Sequence, residues 1–337
     1  MPTVSGRLRF ISLSLVVLAA GCPGEAGLFR DAARTLEAGS SGSEAGGSGR
    51  DLPTVYACNT VDLLFVIDNS MTMLQEQQNL ASNFARLMQR LGAIQPPIES
   101  LHLGVVSTDL GAGPYTQGVG SCKPGGDDGK LQHAPHGSGC AASYPKYLEG
   151  KPSTLAQSFG CIAQLGSAGC GYEQQLESAL RALTAQPEND GFLRRTAPLA
   201  IVFVSDEDDC SAKDETLFNP DDLSQGEIKT RCVRLLDKLH PITRYVDGFR
   251  GLKDNPQRVV VAAITGPPGP VQLDASLATG MKPICSSASF GEATPGNRFA
   301  ELVKAFGARG VQSSLCEGDL SGALEIVGQA MEKVCIE

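Results

Sequence analysis

The chain has 337 residues, of which 42% are hydrophobic and 19% are charged, and this composition favours a globular protein over a disordered or coiled-coil one. Such a length corresponds to one large domain or two small ones. Because 37 acidic residues outnumber 28 basic ones, for a formal charge of −9, and no long basic segment is present, we expect no binding to nucleic acid.

The first 21 residues have the three zones of an export signal. Arg7 and Arg9 precede an apolar stretch, residues 10–18, which is followed by Ala-Ala-Gly and then Cys22. The apolar stretch is shorter than the roughly 20 residues of a membrane-spanning helix. Its Ala-Gly-Cys ending resembles a bacterial lipoprotein signal, which implies cleavage before Cys22 and a lipid on that cysteine. An ordinary cleaved signal with a chance cysteine is the alternative.

Residues 22–57 join this signal to the first predicted strand. They contain a segment rich in Gly and Ser, residues 38–49, and we interpret the whole stretch as a flexible tether with a reach of roughly 30–35 Å. The protein is therefore expected to be exported and held at the cell envelope, at the outer membrane, with the lipid as its only membrane contact.

From residue 58 to residue 337, short apolar runs alternate with segments of helical periodicity. This pattern predicts an α/β fold with a doubly wound, mostly parallel sheet flanked by helices. The predicted buried strands cover residues 61–67, 101–106, 199–204 and 259–264. Apolar residues at helical spacing predict helices within residues 80–91, 176–183, 242–252 and 320–334.

The first predicted strand runs directly into Asp68-Asn69-Ser70-Met71-Thr72. Open parallel sheets bind ligands at the carboxyl ends of their strands, and Asp68, Ser70 and Thr72 are placed there with alternate side chains on one side. One carboxylate and two hydroxyls are hard oxygen donors, which favour Mg²⁺, with Mn²⁺ or Ca²⁺ as alternatives. Asp68 could instead cap the following helix, but a cap does not require three oxygen-bearing residues at alternate positions.

Residues 110–153 are longer than a normal connection between elements. They contain many Gly and Pro residues and two cysteines, so we interpret them as an insertion braced by disulfides.

The strand at 199–204 ends in Ser205-Asp206-Glu207-Asp208-Asp209, which places four carboxylates in five residues. Asp206 is expected to complete the donor set begun by Asp68. Glu207, Asp208 and Asp209 are interpreted as a solvated turn or as residues behind the direct ligands, and Asp109 as a neighbour without a direct role.

These two motifs together resemble those of a von Willebrand factor A (VWA) domain. The metal-ion-dependent adhesion site (MIDAS) of that family begins Asp-x-Ser-x-Ser after the first strand and receives an Asp after the fourth. The resemblance covers about residues 58–337 and implies that Asp68, Ser70, Thr72 and Asp206 hold a divalent cation. Thr72 stands where Ser is usual, and this replacement keeps the hydroxyl.

The sequence departs from the family at a second position. The family has a Thr before the helix that precedes the fourth strand, whereas this chain reads Gly169-Cys170-Gly171-Tyr172-Glu173 there. Glu173 is the proposed substitute, because it offers an oxygen at a helix start after a glycine turn. Its alternative role is to complement the helix dipole.

Ten cysteines follow Cys22 and form an even set without a Cys-x-x-Cys motif, which favours disulfides in an oxidising compartment over a zinc site. Sequence alone does not fix their pairing. The simplest hypothesis joins neighbours and closes the domain ends: Cys122–Cys140, Cys161–Cys170, Cys210–Cys232, Cys285–Cys316 and Cys58–Cys335.

The resemblance implies a lipid-anchored binding or adhesion module whose cation ligates an acidic residue of a partner protein. A structural envelope lipoprotein with a permanent or lost metal is the alternative. No enzyme activity is expected. The first strand resembles that of haloacid dehalogenase-type phosphatases, but Ser70 occupies the position of their acid/base Asp and removes the proton-transfer group.

Overall fold

A computed structural model describes residues 58–116, 122–288 and 291–336. The strands, numbered along the chain, are β1 Thr60–Ile67, β2 Ser100–Ser107, β3 Leu148–Gly150, β4 Leu199–Val204, β5 Val259–Thr265, β6 Cys285–Ser287, β7 Gly291–Ala293 and β8 Gly310–Ser314. Six of them form one sheet in the order β3-β2-β1-β4-β5-β8. Only β3 runs antiparallel to its neighbour, and β6 and β7 form a separate antiparallel pair.

Six helices of the described part cover the two faces of this sheet: α1 Leu74–Gly92, α2 Ala156–Ile162, α3 Gln175–Thr184, α5 Ile242–Arg250, α6 Asn297–Phe306 and α7 Ser321–Ile336. A further short helix, α4 Arg231–Arg234, packs against a separate buried cluster. One buried cluster joins the sheet to α1, α2 and α7, and a second joins it to α3, α5 and α6. The doubly wound, mostly parallel α/β fold predicted from the sequence is confirmed.

The central strand explains why the apolar runs are nearly continuous. Along β1, Leu63, Phe65 and Ile67 belong to one buried cluster, whereas Leu64 and Val66 belong to the other. Successive side chains of a strand point to opposite faces, so a sheet covered on both sides requires apolar residues at every position.

Five disulfides brace this fold, and three of them are the predicted pairs Cys58–Cys335, Cys210–Cys232 and Cys285–Cys316. The other two predictions are wrong. The structure pairs Cys122 with Cys170 and Cys140 with Cys161, instead of Cys122 with Cys140 and Cys161 with Cys170.

Asp109 explains why Cys122 pairs with Cys170 rather than with Cys140. Its carboxylate accepts hydrogen bonds from Gly111 N and Cys170 N, at 2.8 and 3.1 Å, and so holds the start of the 110–153 segment against the residues before α3. Asp109 therefore has a bracing role that the sequence did not reveal. The pairing of Cys140 with Cys161 follows from the hydrogen bond between His136 N and Cys161 O, 2.9 Å, which brings the later part of the segment onto α2.

The predicted signal, the lipid-bearing Cys22 and the tether up to residue 57 lie outside the described residues. Within the described ranges, none of the helices combines the length and the apolar character needed to cross a membrane. Five disulfides are typical of a protein that folds in an oxidising compartment.

Candidate metal centre at the carboxyl end of the sheet

Asp68 lies at the centre of the carboxyl edge of the sheet and is fully buried. Its backbone N donates to Val204 O at 3.0 Å, which continues the pairing of β1 with β4 by one residue. Its Oδ1 accepts from Ser70 N at 2.7 Å, and its Oδ2 accepts from the Ser205 hydroxyl at 2.6 Å. These bonds turn the chain sharply after β1 and fix the carboxylate at the strand end.

Ser70 and Thr72 follow in this turn, as the sequence predicted. Their hydroxyl oxygens lie 3.2 Å apart, and the Thr72 side chain is near enough to the Asp206 carboxylate to lower the pKa of that group. Met73 is fully buried and anchors the turn, whereas Thr72 is exposed. The structure therefore brings together all four residues that the motif pattern selected, and Thr72 gives the group an opening to solvent.

Glu173 reaches the same place through a tight backbone contact. Gly169 N donates to Asn69 O at 2.9 Å, and a Cβ on Gly169 would lie 2.3 Å from Asn69 Oδ1, so only glycine allows this approach. The backbone O of Glu173 accepts from Cys210 N at 2.7 Å. Its side chain is buried, and its Oε2 accepts a hydrogen bond from the Thr108 hydroxyl.

The amino end of α3 is capped by other residues. Leu176 N donates to Asp209 Oδ1 and Glu177 N donates to the Ser211 hydroxyl, both at 2.9 Å. The hydrogen bonding of the helix end is thus provided by the segment after β4, while burial, and after it the charge of Asp68, raises the pKa of the Glu173 carboxylate.

Two buried carboxylate oxygens in this group have no hydrogen-bond partner among the described residues. They are Glu173 Oε1 and Asp206 Oδ1, on side chains whose residues are 2% and 4% exposed. A buried charged oxygen without a partner is destabilising, because its loss of hydration is not compensated by a hydrogen bond or an ion pair. Such atoms mark a place where a cation or a bound water would be stabilising.

The electrostatics of the group point in the same direction. Burial raises the pKa of Asp68, although hydrogen bonds from Ser205 and Ser70 partly offset the effect. Burial first, and the Asp68 carboxylate second, raise the pKa values of Glu173 and Asp206 well above their usual range. The same two causes raise the pKa of Glu207 to about 8. None of the ion pairs within the described part of the chain joins these four residues to a lysine or an arginine.

The donor set fits a hard divalent cation in its chemistry, since it consists of carboxylate and hydroxyl oxygens. Among the described residues, however, no three Asp, Glu, His or Cys side chains converge closely enough to hold a metal ion by themselves. A cation at this position would therefore also require the hydroxyls of Ser70 and Thr72, together with water. That requirement agrees with the mixed donor set of the sequence motif.

Two of the acidic residues after β4, Asp208 and Asp209, have structural roles. Asp208 accepts from Asn297 N and Arg298 N, at 3.1 and 3.0 Å, and so caps α6. Asp209 caps α3 and also accepts from Arg298 Nε at 3.0 Å. The prediction of a solvated turn is wrong for this pair, because each carboxylate is bonded to the start of a helix.

The sequence motif did not identify three further residues of this group: Ser205, which donates to Asp68, Thr108, which donates to Glu173, and Glu76, whose pKa is raised by burial and by Asp68. Ser205 and Thr108 each follow a buried strand, so their position alone could have identified them. Glu76 could not have been identified in this way. It lies on α1, is 1% exposed with an unpartnered Oε2, and is covered by Gly291, where a Cβ would lie 1.5 Å from Glu76 Oε1. Burial raises its pKa to about 7.

No family model and no curated protein matches the sequence. Among solved structures, the chain is similar to a von Willebrand factor type A protein from Catenulispora acidiphila, with 12% identity and a TM-score of 0.35 over 81% of this chain and 43% of that one. It is also similar to the human COPII-coat protein Sec24c, with 10% identity and a TM-score of 0.39 over 87% of this chain and 37% of that one. A third similar structure is the pilus adhesin SpaC from Lactobacillus rhamnosus GG, with 11% identity and a TM-score of 0.36 over 82% of this chain and 30% of that one. The chain thus spans less than half the length of these structures, and at these values no residue role or activity is carried over from them.

Proposed function

We propose that the protein is a binding module that uses a divalent cation to ligate an acidic side chain of a partner protein. The observation that carries the proposal is the pair of buried, unpartnered oxygens, Glu173 Oε1 and Asp206 Oδ1, beside the buried Asp68 carboxylate. A bound Mg²⁺, or alternatively Mn²⁺ or Ca²⁺, would offset the negative charge and leave one coordination position for a carboxylate from outside.

The residues divide the work by their chemistry. Asp68 and Asp206 supply negative charge, Ser70 and Thr72 supply neutral oxygens, and Glu173 is the additional acidic donor. Because Thr72 is exposed while the others are buried, the partner would approach from the Thr72 side. The proposal includes no catalytic step, since binding alone accounts for every group named.

The test is calorimetric titration of the purified protein with Mg²⁺, Mn²⁺ and Ca²⁺. We expect binding at millimolar or lower concentration in the wild type and its loss in Asp68→Ala, because that change removes a charged donor. Asp237→Asn, a change of an exposed acid at a distance from the group in sequence, is the matched control and should bind like the wild type.

Glu173→Ala decides between the two roles of Glu173. A loss of affinity as large as that of Asp68→Ala would support Glu173 as a donor, whereas unchanged affinity would return it to the helix-dipole role. If the wild type binds no cation at millimolar concentration, the proposal fails and a structural envelope protein becomes the better interpretation.

Anchoring is a separate part of the proposal. We propose that Cys22 carries a lipid that holds the protein at the outer membrane. Acyl chains contribute about 0.8 kcal/mol per buried CH₂ group, so Cys22→Ala should release the protein from the membrane fraction. Unchanged partition between membrane and supernatant would contradict the anchor without affecting the proposed cation site.

A further inference from the structure

A half-open pocket of about 220 Å³ lies directly beside the candidate metal centre. Thr72 and Asp206 form part of its wall, so the pocket and the metal centre share two residues. Most of the remaining lining is apolar and comes from the connection between β5 and α6: Leu277, Ala278, Met281, Pro283 and Ala293.

The walls of this pocket are held in place by the backbone. Thr294 N donates to Asp206 O at 2.8 Å, so the connection is bonded to the metal-centre residue itself. Asp274 N donates to Gly280 O and Lys282 N donates to Gln272 O, both at 2.8 Å, which closes residues 272–282 into a compact loop. A pocket whose walls are already fixed loses less conformational entropy when it is filled.

We propose that this pocket receives an apolar side chain next to the acidic residue that the partner presents. The proposal rests on the function proposed above and specifies the partner: a protein segment with an Asp or Glu within two positions of a Leu, Met or Phe. Asp206 and Thr72 line the pocket as well as the candidate metal centre. A partner's carboxylate that reached the metal centre would therefore bring the residue beside it in the partner chain to the mouth of the pocket.

The size of the pocket supports a single side chain as occupant. Small-molecule sites are typically about 300–1,000 Å³, and this pocket is smaller. Full burial of a Leu, Met or Phe side chain corresponds to roughly a tenfold to hundredfold gain in affinity. The apolar neighbour would therefore determine which acidic segments bind tightly.

The acidic residues of the pocket lining further restrict which partner segments can bind. The charged residues in the lining are Asp206 and Glu292, and none of the described lining residues is basic. A second acidic residue beside the ligating one would be repelled here, which is a form of selection against polyacidic segments. The pocket thus favours one acid with an apolar neighbour over a run of acids.

The test uses phage-displayed heptapeptides with Asp or Glu fixed at the centre, selected on the full-length protein in millimolar Mg²⁺ and eluted with EDTA. We expect the enriched peptides to carry Leu, Met or Phe within two positions of the acid, and few of them to carry a second acid there. In synthetic copies, replacing that apolar residue by Ser should weaken binding about tenfold or more.

Protein variants then identify the pocket as the cause. Ala278→Phe fills the pocket from an exposed position, and Leu277→Ala removes part of its lining; both should abolish the preference for the apolar neighbour while the affinity for Mg²⁺ itself is unchanged. Leu273→Ala, a change of a half-exposed leucine outside the lining, is the control and should keep the preference.

The two possible failures are distinguishable. Mg²⁺-dependent peptides without an apolar preference, or a preference that survives both pocket variants, would overturn this inference and leave the proposed function standing. The absence of any Mg²⁺-dependent peptide would count against the partner carboxylate itself and so against both.

Discussion

Two buried aspartates on and just after β1 have opposite surroundings. Asp62, near the amino end, contacts Lys253 Nζ and Arg194 Nε, each at 2.7 Å. Asp68, just past the carboxyl end, has Glu173 and Asp206 as charged neighbours and no basic partner among the described residues. A buried charge is tolerated when it is paired, so the amino end is complete within the protein, whereas the carboxyl end has an excess of negative charge.

The pKa shifts differ between the two ends of β1 in the same way. Burial lowers the pKa of Lys253, and the nearby Asp62 carboxylate partly offsets that effect, as in a compensated pair. At Asp68 burial raises the pKa, and the groups that oppose this effect are Ser205, Ser70 and Glu173, none of which is basic. One strand therefore carries a structural carboxylate at one end and a carboxylate that an added cation would stabilise at the other.

The largest expected effect is at the amino end. Lys253→Met leaves Asp62 with one of its two basic partners removed, and breaking a buried pair in this way costs about 3–5 kcal/mol of unfolding free energy. The loss should be the same in Mg²⁺ and in EDTA, as measured by urea denaturation. Lys304→Met on the exposed surface of α6 is the control and should change stability by no more than about 0.5 kcal/mol. A loss that appears only in EDTA would show that the two ends are not independent.

The disulfides test the comparison at the carboxyl end. Removing Cys122–Cys170 by a double Ser substitution should cost about 2–4 kcal/mol and also weaken Mg²⁺ binding, because Cys170 lies in the turn that carries Glu173. Removing Cys140–Cys161, which joins the 110–153 segment to α2, should lower stability alone. Denaturation and calorimetry of both variants provide the measurement. Equal Mg²⁺ affinities in the two variants would contradict the link between this turn and the cation.

Asp206→Asn tests the excess charge directly. At a Mg²⁺ concentration of 100 times Kd, the wild type should gain about 2.7 kcal/mol of unfolding free energy, and the variant should lose most of this gain. In EDTA the variant should be at least as stable as the wild type, because burial and Asp68 disfavour the charged form of Asp206 and the Asn side chain carries no charge. If Asp206→Asn is destabilised in EDTA as strongly as Lys253→Met, the carboxyl end is a structural network like the amino end.

The sequence predicted the central sheet because of how that sheet is covered. Strands β1, β2, β4 and β5 are buried on both faces, and their apolar runs are therefore easy to recognise. The edge strands were missed: β3 has three residues, and β8 reads Gly-Val-Gln-Ser-Ser, in which Val311 alone is buried. Helix α6 has Phe299, Leu302, Val303 and Phe306 at helical spacing and could have been predicted.

Within the site, what could be predicted depends on how far apart in the chain the determinants lie. Asp68, Ser70 and Thr72 are adjacent to a recognisable strand, and Asp206 follows another. The pairing of Cys122 with Cys170 and of Cys140 with Cys161 could not be predicted, since it accompanies contacts between distant segments, Asp109 with Cys170 N and His136 N with Cys161 O. The burial of Glu76 likewise depends on Gly291, more than two hundred residues later in the chain.

The smallest expected effect distinguishes neighbouring acids within one motif. Asp208 caps α6 through Asn297 N and Arg298 N, so Asp208→Ala should cost about 1 kcal/mol, the usual loss when a helix cap is removed. Its Mg²⁺ affinity should equal that of the wild type, because the carboxylate is bonded to a helix end and lies outside the proposed donor set. Calorimetry and urea denaturation should be carried out on Asp208→Ala and Asp206→Asn side by side. Asp208→Ala should lose stability and keep cation binding, whereas Asp206→Asn should lose cation binding and keep its stability in EDTA. A tenfold loss of Mg²⁺ affinity in Asp208→Ala would instead mean that the donor set extends past Asp206 and that the cap is only part of the role of Asp208.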